Sequence, residues 1–311
     1  MNSGTMSLVI PAYNESEIIE NTAKVVVNIL KEANIPFKVL FVNDGSKDDT
    51  WEKIRKISKE YDCIDGICFS RNFGKEAAIF AGLQYAKGDC VAVMDADLQH
   101  PPETLIEMYQ KWCEGYEVIE GIKASRGKEG IVYKIGAKSF YKLISDATGI
   151  DMSTSSDFKL MDRKVVDSII SLPERHLFFR ALSSWVGYKT TYVEFEVQER
   201  IGGESKWSFS SLVKYAVRNI TTFSTAPMQI VSFAGIIFCI LAIVIAIRAV
   251  YQYFVGIALG GFTTVILLIL ILGAIVMLSL GIIGYYIAKI YEEVKGRPRY
   301  IVSKTAKEEE K

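Results

Sequence analysis

Short apolar runs alternate with segments of helical periodicity along the N-terminal part of the chain. Each apolar run ends at polar or turn-forming residues, and the segments between the runs space their apolar residues three and four positions apart. This alternation is typical of a doubly wound α/β sheet, mainly parallel, with helices on its faces. The pattern predicts strands over 6–11, 37–42, 64–69 and 90–94, and helices over 15–33, 48–60 and 75–86.

Two long apolar stretches dominate the C-terminal third of the chain. Residues 228–249 and 262–288 each match the roughly 20 residues that cross a bilayer, and their apolar residues cover every side of a helix. A pair of buried core helices is the alternative. Because the connecting loop is short, we expect a transmembrane hairpin over 227–288. Lysine and arginine are concentrated on its outer flanks, which predicts that both termini are cytoplasmic.

The region between the predicted sheet and the hairpin contains two segments of mixed character. Residues 131–144 and 210–222 combine aromatic and aliphatic residues with spaced lysine or arginine. Amphipathic helices at a membrane surface explain this pattern, and helices packed on the globular core are the alternative. We therefore expect a cytoplasmic globular domain over 1–226 that includes these helices, and a cytoplasmic tail over 289–311.

Composition narrows the class of protein. Apolar residues make up 50% of the chain and the mean hydropathy is +0.20, which is high for a purely soluble protein. Lysine plus arginine and aspartate plus glutamate number 36 each, so no net charge attracts nucleic acid. The five cysteines contain no CxxC pair, which argues against a zinc site. The N-terminus lacks a signal-peptide pattern, so we expect a multi-pass protein of the inner (plasma) membrane with a cytoplasmic domain.

Candidate metal ligands follow the fourth predicted strand, in the run Asp95-Ala-Asp97-Leu-Gln99. Two carboxylates and an amide at this spacing can offer oxygen ligands to Mg²⁺ or Mn²⁺. Acid pairs are also common on surfaces, but the carboxyl ends of strands are where α/β sheets bind ligands. Asp44 follows the second strand and adds a third acid at the same edge, unless it serves only to form the turn.

These motifs together resemble the inverting family 2 glycosyltransferases, which have the GT-A fold. Within that family the resemblance is to the branch of dolichol-phosphate mannose synthases and bacterial polyprenyl-phosphate (bactoprenol) glucosyltransferases. With two C-terminal spans, it covers nearly the whole chain. The matching segments are 11–15 (PAYNE), 42–46 (VNDGS), 70–75 (SRNFGK), 95–101 (DADLQHP), 156–163 (SDFKLMDR), 172–175 (LPER) and 200–206 (RIGGESK).

The resemblance implies a role for each group of residues. A divalent cation, Mg²⁺ or Mn²⁺, would be held by Asp97 and Gln99, while Asp95 would contact the metal or the nucleotide ribose. Asp157 and Asp95 would be the candidate catalytic residues. Asp157 would act as a general base, as a group that orients the acceptor, or as a stabiliser of an oxocarbenium-like centre. The nucleotide would be bound by Pro11, Tyr13, Glu15, Asp44 and Lys75.

An anionic acceptor that attacks beside a diphosphate also requires cations. Arginine forks match phosphate oxygens, which favours Arg200, and Lys206 follows it across Gly202-Gly203. Lys123 and Arg126 come next, and Lys138 lies on the predicted helix 131–144. The candidate residues that bind the acceptor phosphate are Arg200, Lys206, Lys123, Arg126 and Lys138.

The implied reaction moves one hexose, with glucose as the first expectation, from a UDP-sugar to polyprenyl (undecaprenyl) phosphate with inversion. The product would serve cell-envelope glycan modification. N-acetylglucosamine or mannose transfer is the alternative within this class. A processive polysaccharide synthase is disfavoured by the single hairpin, and an inactive nucleotide-binding membrane scaffold is disfavoured by the intact acids. The resemblance is compatible with a homo-oligomer.

Overall fold

The computed structural model describes residues 4–124, 156–173, 178–196, 226–255 and 261–307. Contacts divide the chain into two units, one formed by 1–209 together with 297–311 and the other by 210–296. The helices predicted over 131–144 and 210–222 lie outside the described residues.

The first unit is built on a mixed sheet, which has eight strands in the described part of the chain. Four successive strands run parallel in the order β4-β1-β2-β3, as alternating strands and helices require. The order continues to β7-β5-β6 beyond β4 and to β8 beyond β3, where β6 and β8 are antiparallel to their neighbours. The strands are β1 (Met6–Ala12), β2 (Phe37–Asn43), β3 (Ile64–Phe69), β4 (Cys90–Val93), β5 (Val118–Lys123), β6 (Lys159–Asp162), β7 (Thr190–Phe195) and β8 (Val302–Thr305).

Helices cover both faces of this sheet and create two apolar layers. Side chains of successive strand residues point to opposite faces, so Leu8 and Ile10 of β1 join one layer and Val9 joins the other. The first layer includes α1, α2 and α4, and the second includes α3, α5 and α6. The helices are α1 (Ile19–Glu32), α2 (Thr50–Glu60), α3 (Lys75–Tyr85), α4 (Thr104–Cys113), α5 (Arg163–Ser171) and α6 (Phe179–Trp185).

Helix α3 approaches the sheet closely because a glycine faces β1. A Cβ atom at Gly82 would lie 2.1 Å from Cγ1 of Val9, so any side chain there would move the helix away. The N-terminus of α3 carries Lys75, so this packing sets the height of Lys75 above the strand ends.

The predicted strands and helices of the N-terminal part of the chain are confirmed. The main difference is the start of the first helix, which begins at Ile19. Asn14 has a φ of +55°, in the left-handed region, and the amides of Ile18 and Ile19 both donate to the Glu15 carbonyl. Residues 14–18 therefore form a turn, although their sequence has helical spacing.

The segment 289–311, predicted as a cytoplasmic tail, has regular structure over most of its described length. A last helix runs through to Val294, and β8 then pairs with β3. Tyr300 stacks on Phe69 with ring centroids 5.0 Å apart, and the Ala306 amide donates to the Gly66 carbonyl at 2.8 Å. No apolar alternation marks this segment, because β8 is a short strand in which Val302 is followed by three polar residues.

The second unit contains two long helices, α7 (Ala226–Phe254) and α8 (Phe262–Val294), which contact each other. Within them, Phe233–Gln252 and Ile271–Val294 comprise 20 and 24 residues and are long and apolar enough to cross a membrane. Neither stretch is buried inside the protein, as a core helix would be. The two helices thus fit the predicted hairpin and support association with a membrane.

Candidate active site

The carboxyl ends of β1, β2 and β4 and the start of α3 surround one cavity of about 290 Å³. We call it the strand-end cavity. It gathers predicted site residues from four separate motifs, because parallel strands present their carboxyl ends at one edge of the sheet. The predicted residues that line it are Pro11, Tyr13, Glu15, Asp44, Lys75, Asp95 and Asp97.

Asp44 lines the cavity and binds the neighbouring 70–75 loop. Its side chain is buried, and its two oxygens accept hydrogen bonds from the amides of Phe73 at 2.7 Å and Gly74 at 2.9 Å. Burial raises the pKa of Asp44, and these two amides oppose the shift. The next residue, Gly45, has a φ of +63°, and a Cβ there would lie 2.4 Å from the Arg71 backbone. Asp44 and Gly45 thus fix the 70–75 loop beside β2.

The loop after β1 is fixed by side chains of the segment after β2. The backbone amide of Asn14 donates to Ser46 Oγ at 2.9 Å, and Asn14 Oδ1 accepts from the backbone amide of Lys47 at 2.9 Å. The Glu15 amide donates to Thr50 Oγ1 at 3.0 Å. The neighbouring residue Tyr13 is 40% exposed and lines the cavity, where a flat ring can stack on its side chain.

The segment 95–99 turns sharply after β4. Leu98 has a φ of +56°, a conformation that costs free energy for a branched side chain. The backbone amide of Gln99 donates to Asp97 Oδ1 at 3.1 Å, which closes the turn around the carboxylate. His100 stacks on Phe158 with ring centroids 4.8 Å apart. The segment that carries Asp95 and Asp97 thus follows β4 and packs, through His100, on the residue before β6.

The oxygen ligands in this segment suit a divalent cation that keeps water and phosphate ligands. Asp95 and Asp97 line the same cavity, and Gln99 follows them in the turn. In the described ranges no three histidine, cysteine, aspartate or glutamate side chains cluster as a metal site. Carboxylate and amide oxygens are hard donors of the kind that Mg²⁺ or Mn²⁺ binds together with water and phosphate oxygens.

Asp157 lies beside the cavity, where two cations hold its carboxylate. Lys75 Nζ is 2.9 Å from Asp157 Oδ2 and 2.7 Å from Asp95 Oδ1, so it bridges the two acids. Arg180 donates through Nε to Oδ1 at 2.7 Å and through Nη2 to Oδ2 at 2.9 Å. Burial alone raises the pKa of Asp157, but Lys75 and Arg180 lower it below its usual range. Asp157 is therefore a carboxylate at neutral pH.

A buried ion pair supports Arg180 from the sheet side. Lys159 on β6 is fully buried; its Nζ is 2.9 Å from Glu120 Oε1 on β5 and donates to Ser183 Oγ on α6 at 2.5 Å. Ser183 Oγ in turn donates to the Arg180 carbonyl at 3.1 Å. Burial lowers the pKa of Lys159, and Glu120 opposes that shift. We call Asp157, Arg180, Ser183, Lys159 and Glu120 the Asp157 cluster.

Sequence reasoning missed Arg180, Lys159 and Glu120. Two signals were present: a lysine within the apolar strand residues 158–161, and an arginine on the apolar helix 178–182. Charged residues in such positions are almost always paired. Their partners lie far away in sequence, so the pairing itself could not be read from the chain.

The predicted acceptor residues are mostly beyond the described part of the chain. Lys123 is exposed at the end of β5. Arg126, Lys138, Arg200 and Lys206 lie outside the described residues, and their roles stay predictions.

Comparison with known proteins agrees with this geometry. The sequence profile of the family described as glycosyl transferase family 2 matches residues 7–170. The chain belongs to glycosyltransferase family 2. The match covers β1 to β6 and α1 to α4, so it includes the strand-end cavity and Asp157.

Relatives of this glycosyltransferase match over nearly the whole chain. It is 42% identical to the uncharacterized glycosyltransferase YkcC of Bacillus subtilis, over 96% of this chain and 93% of the relative. A prophage bactoprenol glucosyl transferase homolog of Escherichia coli is 36% identical, over 97% and 99%. A bactoprenol glucosyl transferase of Shigella phage SfII is 35% identical, over 96% and 98%. The likeness thus extends through both long apolar helices.

Solved structures confirm the GT-A fold of this glycosyltransferase. Glucosyl-3-phosphoglycerate synthase from Mycobacterium tuberculosis, in complex with Mn²⁺, uridine diphosphate and phosphoglyceric acid, has a TM-score of 0.50 and 18% identity. That likeness covers 70% of this chain and 76% of the other. A complex of the synthase with Mg²⁺ and uridine diphosphate also has a TM-score of 0.50, with 19% identity over 70% and 77%.

Proposed function

We propose that this glycosyltransferase moves one glucose from UDP-glucose to polyprenyl phosphate, with inversion at the anomeric carbon. One observation carries the proposal: Lys75 contacts both Asp95, which lines the strand-end cavity, and Asp157, which lies beside it. In this proposal the nucleotide and a hard cation would bind in the strand-end cavity, and the second substrate would bind beside Asp157. The relatives named as bactoprenol glucosyl transferases, at 35% identity over 96% of the chain, supply the expectation for donor and acceptor.

Three features of the strand-end cavity support a UDP-sugar donor. Tyr13 offers an exposed ring on which a base can stack, and the 70–75 loop is held by Asp44. Lys75 brings an ammonium group to the cavity wall, where it can meet a diphosphate oxygen. A synthase structure with a TM-score of 0.50 is described in complex with Mn²⁺ and uridine diphosphate.

We propose that Asp97, Asp95 and Gln99 hold Mg²⁺ or Mn²⁺. When bound, the cation would neutralise the charge that develops on the departing diphosphate. The residues of the chain supply the remaining functions: Asp97 would ligate the cation, the backbone amide of Gln99 orients the Asp97 carboxylate, and Lys75 adds positive charge on the side facing Asp157.

The state of Asp157 narrows its role in transfer. A carboxylate whose pKa is lowered by two cations is a weak proton acceptor. A phosphate acceptor is already largely ionised near neutral pH and needs little deprotonation. We therefore assign Asp157 to orientation and charge at the reacting centre, and not to general-base catalysis. Arg200, Lys206, Lys123, Arg126 and Lys138 are the proposed partners of the acceptor phosphate.

Membrane attachment supports a lipid acceptor. Two exposed apolar helices, Phe233–Gln252 within α7 and Ile271–Val294 within α8, are long enough to cross a bilayer. We propose that they form a hairpin in the inner (plasma) membrane, with the sheet and both termini on the cytoplasmic side, where nucleotide-sugars are made. The positive-inside distribution of lysine and arginine supports this orientation.

Incubation of membranes containing the protein with radiolabelled UDP-glucose tests the proposal. We expect label in the lipid extract, in a product that carries a single hexose. Label in a polymer would indicate a processive synthase, and no incorporation from any nucleotide-sugar would indicate a scaffold. The same assay with UDP-N-acetylglucosamine and GDP-mannose ranks the donors, and a β-linked product from the α-linked donor is the expected sign of inversion.

A further inference from the structure

Arg180 makes a two-point contact with Asp157 that no other described side chain makes. Its Nε and Nη2 meet the two carboxylate oxygens at 2.7 Å and 2.9 Å, the paired geometry in which a guanidinium fixes both the position and the plane of a carboxylate. Lys75 contacts only Oδ2 of the same group and is shared with Asp95. The orientation of Asp157 therefore depends more on Arg180 than on Lys75.

The short helix that carries Arg180 is attached to α3. Glu76 Oε2 accepts a hydrogen bond from the Phe179 amide at 2.9 Å, in the first turn of α6. Glu76 is the neighbour of Lys75, so one turn of α3 fixes both the ammonium that bridges the two acids and the start of the helix that carries Arg180.

The same helix is attached to the sheet by buried charge. Lys159, paired with Glu120, donates to Ser183 Oγ at 2.5 Å, and Ser183 Oγ donates to the Arg180 carbonyl. Both charged side chains of the pair are almost completely buried. Buried charges are tolerated only where they are paired at close range and their remaining hydrogen bonds are made. Arg180 is thus held from α3 at its N-terminal side and from β5 and β6 at its C-terminal side.

We propose that Arg180 is a positioning residue for the transfer reaction, held by the Glu76 and Lys159–Ser183 contacts so that it fixes the Asp157 carboxylate beside the reacting centre. The proposal rests on the proposed function. Without Arg180, the cation that the described part of the chain leaves beside Asp157 is the ammonium of Lys75, which Asp95 also attracts, so the carboxylate loses the contact that fixes its plane. Misplacement of a reacting-centre group by about 1 Å lowers turnover by about 100-fold.

A double-mutant cycle of Arg180→Gln and Asp157→Asn, measured on the full chain in detergent micelles, tests this assignment. We expect Arg180→Gln to lower kcat for glucose transfer by about 100-fold while the Kd for UDP, from calorimetry, stays at the wild-type value. The double variant should be no slower than the slower single variant, because the two residues act as a unit. Arg180→Lys should recover only part of the loss, since it keeps the charge and loses the two-point contact.

Arg163 provides a matched control. Its side chain has nearly the same exposure as that of Arg180, 28% against 29%. It donates to the Gly88 and Ala86 carbonyls at 2.9 Å, in a purely structural position. Arg163→Gln should lower the thermal midpoint and leave kcat unchanged.

Three results would overturn the assignment: wild-type kcat in Arg180→Gln, losses that add in the double variant, or a fall in UDP affinity as large as the fall in kcat. If Arg180→Gln does not fold, Arg180→Lys with the same cycle decides the question. Failure of the proposed function is distinguishable, because it appears as a wild-type protein that forms no lipid-linked hexose.

Discussion

Two buried aspartates, Asp44 in the strand-end cavity and Asp157 in the Asp157 cluster, differ in the groups that stabilise their carboxylates. Asp44 is 3% exposed and accepts from two backbone amides, and burial raises its pKa. Asp157 is 8% exposed and is paired with Lys75 and Arg180, and their charges lower its pKa despite burial. Neutral dipoles hold the first carboxylate, and full positive charges hold the second.

The difference indicates what each region is built for. Among the described residues that line the strand-end cavity, Lys75 is the one with a positively charged side chain. Such a cavity suits a hard cation that arrives together with a diphosphate. The Asp157 cluster already balances its own charges through Arg180, Lys159 and Glu120, which suits a fixed group that orients a second substrate. Lys75 belongs to both regions and links them.

The largest expected effect is on the metal side. Asp97→Ala should reduce turnover by about 1000-fold or more, because loss of the cation removes several kcal/mol of stabilisation from the departing diphosphate. Radiolabel incorporation into lipid measures it, with the exposed Asp62→Ala as the control. Full activity of the wild-type protein in excess EDTA would contradict the metal assignment.

The next effect concerns the stability of the Asp157 cluster. Lys159→Met leaves Glu120 buried without its cation and should lower the free energy of unfolding by about 3–5 kcal/mol. The double variant Lys159→Met/Glu120→Leu should recover most of that loss, because an apolar pair of similar volume replaces the ion pair. Denaturant titration in detergent, followed by tryptophan fluorescence, compares the two. A single variant as stable as wild type would show that the pair does not support the cluster.

A smaller effect separates acceptor use from donor use. Arg200→Ala should lower kcat/KM for polyprenyl phosphate by about 10–100-fold, the value of one or two charge-assisted hydrogen bonds. The Kd for UDP should stay near the wild-type value, since the nucleotide contacts are assigned to the strand-end cavity. Initial rates at varied lipid phosphate give the first quantity and calorimetry the second. Unchanged kinetics with the lipid would remove Arg200 from the acceptor site.

The smallest effect is a pH dependence at the junction of the two regions. Burial, followed by the charge of Asp157, raises the pKa of Glu76 to about 7, although Lys75, Arg180 and the Phe179 amide oppose the shift. A raised pKa favours the folded state below the unfolded pKa, and this contribution is lost as pH rises through about 7. Glu76→Gln should therefore gain stability relative to wild type as pH rises from about 4.5 to about 7, by at most about 1.4 kcal/mol per pH unit. A difference in unfolding free energy that is flat with pH would contradict this.

The sequence predicted the parts of the molecule that depend on local pattern. The apolar runs of β1 to β4 appear directly in the chain, because buried parallel strands are apolar on both faces. Asp95, Asp97 and Asp44 follow from the rule that ligands bind at the carboxyl ends of those strands. These residues do line one cavity.

Long-range pairing was not predictable in the same way. Strand β8 is short and carries Ser303 and Lys304, so only its partner β3 makes it a strand. Arg180 and Asp157 are 23 residues apart, and Lys159 and Glu120 are 39 apart. A charge in an apolar segment shows that a partner exists, but only the fold identifies the partner.

The most direct test of the central claim is the mass of the lipid product. Purified wild-type protein, incubated with UDP-glucose, undecaprenyl phosphate and Mg²⁺ or Mn²⁺, should convert the lipid to a species heavier by one hexose. Mass spectrometry of the lipid extract should detect this species with wild type and not with Asp97→Ala. Unmodified lipid with every UDP-hexose, or a series of products carrying several hexoses, would contradict the proposed single transfer.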